Sequence, residues 1–268
     1  MSSWISNPTQ KKLPTNAYFC KTSTSGYGSN FFNFFLCYLF AQHNNQKLFL
    51  KDTKNNISNS YHLILDTFED LPGIVYSSQD GITLQQLYPK EMNLYYESLS
   101  ESVKQQQARR IFRLRKSVQD KIANLRKSLP SIDYGIHIRT GDKITTGEMK
   151  AISLDSYVQA TKEYQRRWGK STLAIYIMTD SVNALMNFKQ KADSSWTIYN
   201  LPSPIQNQNG HIQSNFNSFR SEIKMEAFHH FLTEIQILKD SSAILCTFSS
   251  NIGRFIRLLT DSPIQSLD

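Results

Sequence analysis

Seven residues at positions 137–143, HIRTGDK, combine side chains that could bind a charged group and take part in its transfer. Arg139 offers a planar fork of N–H donors that matches two phosphate oxygens and stays charged at neutral pH. His137 could contact a base or a sugar, although a lone histidine on a strand is more often a packed core residue. Arg139 could equally form a structural ion pair with Asp142, so these residues alone leave both interpretations open.

Two further segments could bind an anion or a sugar. Residues 247–251, TFSSN, place hydroxyl and backbone N–H groups at the start of a predicted helix, where the helix dipole favours negative charge. Ser249 or Ser250 could instead serve only as the helix N-cap. Residues 25–30, SGYGSN, contain two glycines that let a ligand approach the backbone, but they lack the third glycine of a dinucleotide fingerprint and the lysine of a P-loop. We interpret this turn as a sugar or acceptor loop.

Hydrophobic periodicity places these segments where predicted strands end. The pattern predicts strands at residues 17–20, 47–51, 134–138, 173–178, 197–199 and 243–248, and helices at residues 29–43, 155–168, 182–191, 221–239 and 250–259. Residues 90–129 are helical in character up to Pro130, and residues 201–219 are typical of a long active-site loop. Alternating strands and helices predict a parallel α/β sheet, whose ligands bind outside the carboxyl ends of the strands. We place a domain boundary near Pro130, between residues 1–130 and 131–268.

Composition sets limits on the class of protein. With 268 residues, 40% of them hydrophobic, the chain can form one extended domain or two compact ones. The longest apolar run, residues 31–41, is about half of the ~20 residues of a membrane helix, which indicates a core helix. The N-terminus lacks the apolar segment of a secretory signal, so we expect a cytoplasmic location. Cys20, Cys37 and Cys246 are too scattered for a disulfide framework and are expected to be buried free thiols.

The sequence does not predict a metal site. His229 and His230 are adjacent, unlike the i, i+4 pair of a zinc-binding helix, and no Asp-x-Asp pair occurs. A net charge of +8 suits any anionic partner. A basic run, residues 109–116, is typical of a solvated helix face; nucleic-acid binding is the alternative, which its low aromatic content disfavours.

In their order along the chain, these motifs resemble those of the α1,6-fucosyltransferase family, which includes the nodulation fucosyltransferases of bacteria. SGYGSN is similar to the family's early glycine-tyrosine-glycine loop, and HIRTGDK to its His-x-Arg-Arg-x-Asp-Lys motif. Met178, Thr179 and Asp180 resemble its Ala-Thr-Asp strand end. EIQILKDSSAILCTFSSN is similar to its last motif, the most specific of the four.

The resemblance implies a GT-B-like α/β fold of two Rossmann-like halves, with the donor site in the C-terminal parallel-sheet domain. It implies inverting, metal-independent transfer of fucose from GDP-fucose to a glycan hydroxyl, with no cofactor. Arg139 would hold the β-phosphate, Ser250 a phosphate oxygen, and His137 and Glu234 the guanine. Glu148 would be the base. The remaining expected site residues are Asp142 and Lys143 in the catalytic group and Gly26, Tyr27, Gly28, Asp180, Ser249 and Asn251 in the donor-binding group.

Three positions depart from the family pattern. Thr140 stands where the family has a second arginine, Glu148 follows Gly147 and so comes one residue late, and Glu234 replaces an aspartate. A catalytically degenerate GT-B module that binds nucleotide or glycan without turnover is therefore the alternative function.

Overall fold

Within the described residues, all paired strands of the computed structural model are parallel, and they form two sheets. The structure describes residues 16–21, 26–51, 66–75, 83–205 and 207–268. The first sheet has the order β3-β2-β1-β4. Its strands are β1 (Asn16–Lys21), β2 (Lys47–Lys51), β3 (Ile74–Val75) and β4 (Thr83–Gln86). Helix α1 (Tyr27–His43) connects β1 to β2, as the apolar pattern of residues 29–43 predicts. The sequence also contains strand-like pieces at residues 63–65 and 74–76; residues 63–65, like Ser25 of the glycine loop, lie outside the described residues.

The second sheet contains the crevice in which a ligand would bind. Its order is β7-β6-β5-β8-β9, and its strands are β5 (Tyr134–Ile138), β6 (Leu173–Thr179), β7 (Trp196–Tyr199), β8 (Ala243–Cys246) and β9 (Ile264–Ser266). From β5 the chain builds outward to β6 and β7, then returns to add β8 on the other side of β5. This reversal opens a crevice at the carboxyl ends of β5 and β8. The HIRTGDK and TFSSN motifs follow these two strands.

The prediction of a continuous helical segment over residues 90–129 is wrong in detail. Three helices occupy it: α2 (Pro89–Ser98), α3 (Glu101–Ile111) and α4 (Lys116–Arg126). Ser100 caps α3, since its Oγ accepts from the amide of Val103 at 3.4 Å. Between α3 and α4 the chain is extended: Leu114 forms an antiparallel bridge with Phe68, and the Arg115 amide donates to the Thr67 carbonyl at 2.9 Å. A pairing with a distant segment therefore breaks the helical pattern.

Helices connect the strands of the second sheet, and each helix that directly follows a strand begins near the carboxyl edge of the sheet. They are α5 (Asp142–Thr145), α6 (Leu154–Arg167), α7 (Val182–Lys191), α8 (Gln213–Ser218), α9 (Ser221–Lys239) and α10 (Asn251–Leu259). The predicted loop at residues 201–219 is thus partly helical, because it contains α8. None of the helices among the described residues combines the length and apolar character that crossing a bilayer requires. The cytoplasmic location stays a prediction.

Aromatic side chains join the two halves of the chain in one core. The Phe31 ring, 2% exposed on α1, lies 5.5 Å from Phe68 and 5.8 Å from Phe112, both from the first half. It also lies 5.5 Å from Phe255 and 5.9 Å from Phe228, which belong to α10 and α9. The expected boundary near Pro130 separates the two sheets, but the hydrophobic core continues across it.

The expectation of three free thiols is wrong for two of them. Cys20 at the end of β1 is bonded to Cys37 of α1, with the two Cα atoms 6.1 Å apart, while Cys246 is a buried free thiol. Spacing in the sequence did not indicate this pairing, because β1 and α1 come together only when the helix packs on the sheet. Disulfides are rare in reducing compartments, so the bond does not favour the expected cytoplasmic location.

Replacing Phe31 with alanine should destabilise both halves together. Removal of a fully buried phenylalanine costs about 3–5 kcal/mol, and here the lost contacts come from both halves. We expect a single unfolding transition in urea, with its midpoint lowered equally when followed by tryptophan fluorescence and by circular dichroism. The buried Trp196 of β7 contributes to the fluorescence signal. Phe40→Ala, at a half-buried position of the same helix, is the control and should shift it less. Two separate transitions would contradict a shared core.

Candidate functional site

A cavity of about 240 Å³ opens at the carboxyl edge of the second sheet, where α1 of the first half meets α9 and α10. Of the expected site residues, all but Asp142 line it. They are Gly26, Tyr27, Gly28, His137, Arg139, Lys143, Glu148, Asp180, Glu234, Ser249, Ser250 and Asn251. Asp142 lies beside the cavity and contacts Arg139. Segments far apart in the sequence therefore meet in one place.

The Asp180 carboxylate connects three segments of the cavity wall. Its Oδ2 accepts from Arg139 Nη1 at 2.6 Å and from the His211 amide at 2.9 Å. Its Oδ1 accepts from the amide and the hydroxyl of Thr140, both at 3.0 Å. Four hydrogen-bond donors already occupy this carboxylate, so it acts by holding Arg139, the Thr140 loop and the His211 loop in place. The sequence had suggested a side chain that contacts the nucleotide-sugar donor directly.

Arg139 is held between two carboxylates at the cavity wall. Besides Asp180, its Nη2 donates to Asp142 Oδ1 at 3.2 Å, and its side chain is 13% exposed. The structural ion pair expected as the alternative is thus present, but it uses two of the five N–H donors of a guanidinium. Arg139 can still offer N–H groups to a ligand, although the cluster of one cation and two carboxylates has no net positive charge.

The loop after β5 packs directly on residues 209–211, which the sequence analysis did not select. Gly141 and Gly210 have φ angles of +77° and +104°, and a Cβ on Gly210 would lie 2.6 Å from the Gly141 nitrogen. The Asp142 amide donates to the His211 carbonyl at 3.1 Å. Both positions therefore require glycine, for the backbone conformation and for the close approach. The Asn209-Gly210 pair indicates a turn in the sequence, but not its partner.

The expected base, Glu148, lies at the rim of the cavity, with its side chain 55% exposed. Its Oε2 is paired with the Lys143 ammonium, and its Oε1 accepts from the Thr146 hydroxyl at 3.2 Å. The hydrogen bond from Lys143 is the largest effect on the Glu148 carboxyl, and its pKa lies below the usual value. Glu148 is thus an ionised carboxylate at neutral pH, ready to accept a proton but a weaker base than a buried glutamate.

His137 and Glu234 form an uncharged region of the cavity wall. Burial, with help from the Arg139 charge, lowers the pKa of His137 to about 4, and its Nδ1 has no hydrogen-bond partner in the described part of the chain. Burial raises the pKa of Glu234 to about 8, the Tyr176 hydroxyl donates to its Oε1 at 3.2 Å, and Asp180 adds to the rise. Both groups are therefore mainly neutral at pH 7 and present hydrogen-bonding atoms to a ligand.

The TFSSN segment is fixed by hydrogen bonds that the sequence suggested only in part. Ser250 is the N-cap of α10, because its Oγ accepts from the Ile252 amide at 3.3 Å. The amides of Phe248 and Ser249 donate to the Asp268 carboxylate at 2.7 and 3.0 Å. The chain itself thus supplies an anion to two of the N–H groups that were expected to bind one from a ligand.

The start of α1 packs against the start of α10. A Cβ on Gly28 would lie 3.1 Å from Ile252 Cγ1, and Asn251 Nδ2 donates to Ser29 Oγ at 2.7 Å. The Tyr27 ring lies against Phe216 and Phe231, and its hydroxyl donates to the Lys224 carbonyl at 2.8 Å. The glycine turn therefore contributes an apolar part of the cavity wall, and its contacts with the start of α10 form the seam, that is, the line of contact between the two halves.

Several other residues that line the cavity were not predicted individually, although Ser203, His211 and Phe216 lie in the predicted active-site loop at residues 201–219. These include Ser29, Met149, Ser203, His211, Phe216, Phe231 and Arg254. The apolar members look like ordinary core residues in the sequence, since nothing local shows that they face a cavity. Arg254 follows Ser250 at helical spacing, which was the available signal for it. Within the described residues, no group of three or more His, Cys, Asp or Glu side chains could hold a metal ion.

Ion pairs neutralise most of the basic run at residues 109–116. Arg109 donates to Asp261 Oδ2 at 2.8 Å, Arg113 pairs with Glu69 at 3.2 Å, Arg115 with Asp70 at 2.5 Å and Lys116 with Asp120 at 2.6 Å. Little uncompensated positive charge remains there for a nucleic acid.

The chain has a fucosyltransferase-like fold, an α/β architecture with parallel sheets of the GT-B-like type. Similar solved structures include NodZ α-1,6-fucosyltransferase soaked with GDP-fucose, at 14% sequence identity and a TM-score of 0.53, covering 91% of this chain and 92% of that chain. The FUT1 mutant of Arabidopsis thaliana in complex with GDP has 11% identity and a TM-score of 0.56, with 94% and 70% covered. POFUT1 in complex with GDP has 9% identity and a TM-score of 0.51, with 94% and 97% covered. No protein-family model and no curated protein matches the sequence.

Replacing Asp180 with asparagine should destabilise the fold strongly. The change removes one of the two ionic partners of Arg139 and leaves a single acceptor oxygen where a carboxylate served four donors. Breaking a largely buried pair costs about 3–5 kcal/mol, measured as the free energy of unfolding in urea. Asp155→Asn is the matched control: its pair with Lys191 is 75% and 47% exposed, so the loss should stay below about 1 kcal/mol. Equal losses would contradict the role of Asp180.

Proposed function

We propose that this chain is a glycosyltransferase that transfers fucose from GDP-fucose to a hydroxyl group of a glycan acceptor, with inversion and without a metal ion. The observation that carries the proposal is that the motifs resembling the α1,6-fucosyltransferase family converge on one cavity at the carboxyl edge of the second sheet. The fold is also similar to that of structures described as fucosyltransferases with GDP-fucose or GDP. The donor would bind mainly to the C-terminal half, residues 131–268, and the acceptor to the side of residues 1–130.

In this proposal the donor's diphosphate lies between Arg139 and the start of α10. Arg139 would donate to the β-phosphate through N–H groups that Asp142 and Asp180 do not use, and these carboxylates fix the direction of the guanidinium. Ser250 would donate its hydroxyl to a phosphate oxygen while its Oγ remains the helix cap. Fixed donors at this point stabilise the charge that develops on GDP as it leaves.

Glu148 would act as the base and Lys143 would position it. The acceptor oxygen attacks the anomeric carbon, the bond from that carbon to the β-phosphate oxygen breaks, and the hydroxyl proton passes to Glu148. Pairing with Lys143 keeps Glu148 ionised and directs it, and the exposed rim leaves space for an acceptor. Attack on the face opposite the leaving diphosphate inverts the configuration at that carbon.

Two observations favour a degenerate binding module instead. Thr140 contributes no positive charge beside Arg139, and the lowered pKa of Glu148 makes it a weaker base. Such a module would bind nucleotide or glycan without releasing GDP from GDP-fucose.

Calorimetric titration with GDP and GDP-fucose, followed by a GDP-release assay over a panel of glycans, tests both functions. Arg139→Ala should weaken GDP binding by about 10- to 100-fold, because hydrogen bonds to charged groups are worth about 1.5–3 kcal/mol. Glu148→Gln should spare GDP binding and lower turnover by about 100-fold or more. Glu163→Gln, an exposed glutamate of α6, is the control for both. Absence of GDP binding would refute the proposal, and GDP binding without turnover would favour the module.

The affinity for GDP should increase with pH if Glu234 binds the guanine. The N1–H and N2–H groups of guanine are donors, so they favour the ionised carboxylate, whereas free Glu234 holds a proton up to a pKa of about 8. Binding must then release that proton, and affinity should fall about tenfold for each unit below pH 8. Calorimetry in buffers of different ionisation enthalpy measures the release directly. Glu234→Gln should remove this pH dependence. If the variant keeps the pH profile of the unaltered protein, Glu234 does not bind the guanine.

A further inference from the structure

Positive charge in the cavity wall is compensated unevenly. Arg139 is held by two carboxylates and Lys143 by Glu148, so neither contributes a full uncompensated charge. Arg254 also lines the cavity, and its contacts in the described part of the chain are with uncharged groups. Its Nη2 donates to Asn251 Oδ1 at 2.6 Å, and its guanidinium lies 5.4 Å from the centre of the Phe32 ring. Among the cations that line the described part of the cavity, Arg254 is therefore the one without a carboxylate partner.

The position of Arg254 on its helix is electrostatically unfavourable without an anion. It lies in the first turn of α10, where its amide donates to the Ser250 carbonyl at 3.1 Å. The N-terminal end of a helix carries partial positive charge, so a cation there is repelled. Side chains on a helix also point back towards its N-terminus, and the bond to Asn251 shows that the guanidinium does so. The chain's own Asp268 carboxylate binds the amides just before this end of the helix, and an anion bound in the cavity would relieve the repulsion further.

A chain of hydrogen bonds fixes the guanidinium at the seam between the two halves. Asn251 accepts from Arg254 through Oδ1 and donates through Nδ2 to Ser29 Oγ on α1 at 2.7 Å. A guanidinium has five N–H donors, so the single bond to Asn251 leaves others for a ligand. The guanidinium of the exposed Arg254 is thus bonded to the residue that directly follows Ser250, whose hydroxyl is proposed to bind a phosphate oxygen.

We propose that Arg254 is the second cation of the donor site and binds the diphosphate from the side of α10, while Arg139 binds it from the side of β5. This inference rests on the proposed function, since it takes the ligand to be a nucleoside diphosphate. Two guanidinium groups, one in the loop after β5 and one on α10, would then share the charge that develops on the leaving diphosphate. Arg254 thus serves to distinguish a nucleoside diphosphate from the uncharged nucleoside.

Titration calorimetry with GDP, GMP and guanosine tests this role in three variants. Arg254→Gln should weaken GDP binding by about 10- to 100-fold, as expected for a lost charge-assisted hydrogen bond, and should change guanosine binding by less than about twofold. Arg254→Lys should recover part of the loss, because it keeps the charge without the fork. Arg257→Gln is the matched control. Arg257 lies one turn later on α10, pairs with Glu101 at 3.1 Å and does not line the cavity, so GDP affinity should stay within about twofold.

The possible results separate this inference from the function on which it rests. If the unaltered protein does not bind GDP, the proposed function fails and the inference fails with it. If GDP binds and Arg254→Gln binds it equally well, the inference alone is overturned. If Arg254→Gln weakens the binding of GDP and of guanosine equally, the inference is also overturned, because the substitution has then changed the shape of the cavity wall. If Arg254→Gln does not fold, Arg254→Lys decides: GDP and guanosine affinities that change in parallel contradict the proposal.

Discussion

The Asp180 carboxylate at the end of β6 is the interaction on which the rest of the site depends. It binds the Arg139 guanidinium, the backbone and hydroxyl of Thr140 and the backbone of His211, so three chain segments meet at one side chain. Gly141 and Gly210 then pack without side chains between them. A buried carboxylate requires a donor for each of its lone pairs, and this requirement sets both the direction of Arg139 and the path of the loop at residues 209–211.

The cavity separates charged from uncharged recognition. Its ionised side chains follow β5 and β6 or, in the case of Arg254, belong to α10, while the buried His137 and Glu234 have shifted pKa values that leave them mainly neutral before a ligand binds. Tyr27, Phe216 and Phe231 add an apolar surface. Under the proposed function, this division matches a ligand with a flat polar ring at one end and negative charge at the other, as in a nucleoside diphosphate sugar.

Local patterns in the sequence predicted the elements, and contacts between distant segments caused the errors. Strand β5, helix α7 and helix α9 agree with their hydrophobic periodicity, and polar residues directly after β5 and β8 correctly indicated the crevice. The break between α3 and α4 depends on pairing with Thr67 and Phe68, and the disulfide depends on how α1 packs on β1. Contacts of this kind leave no signal in a hydrophobic pattern. Gly210, His211 and Arg254 were missed because their roles arise only where two segments meet.

The Asp268 carboxylate bound to the Phe248 and Ser249 amides affects the entropy of ligand binding. Loops that wrap around phosphates often become ordered only when the ligand arrives, and the cost of that ordering weakens binding. Here burial disfavours the ionised Asp268, but hydrogen bonds from the Ser266 hydroxyl and from the amides of Phe248 and Ser249 outweigh it, so the pKa of Asp268 lies below its usual value and the anion persists at neutral pH. The turn before α10 is therefore preorganised by the protein itself, and a ligand meets Ser250 and Asn251 already in position.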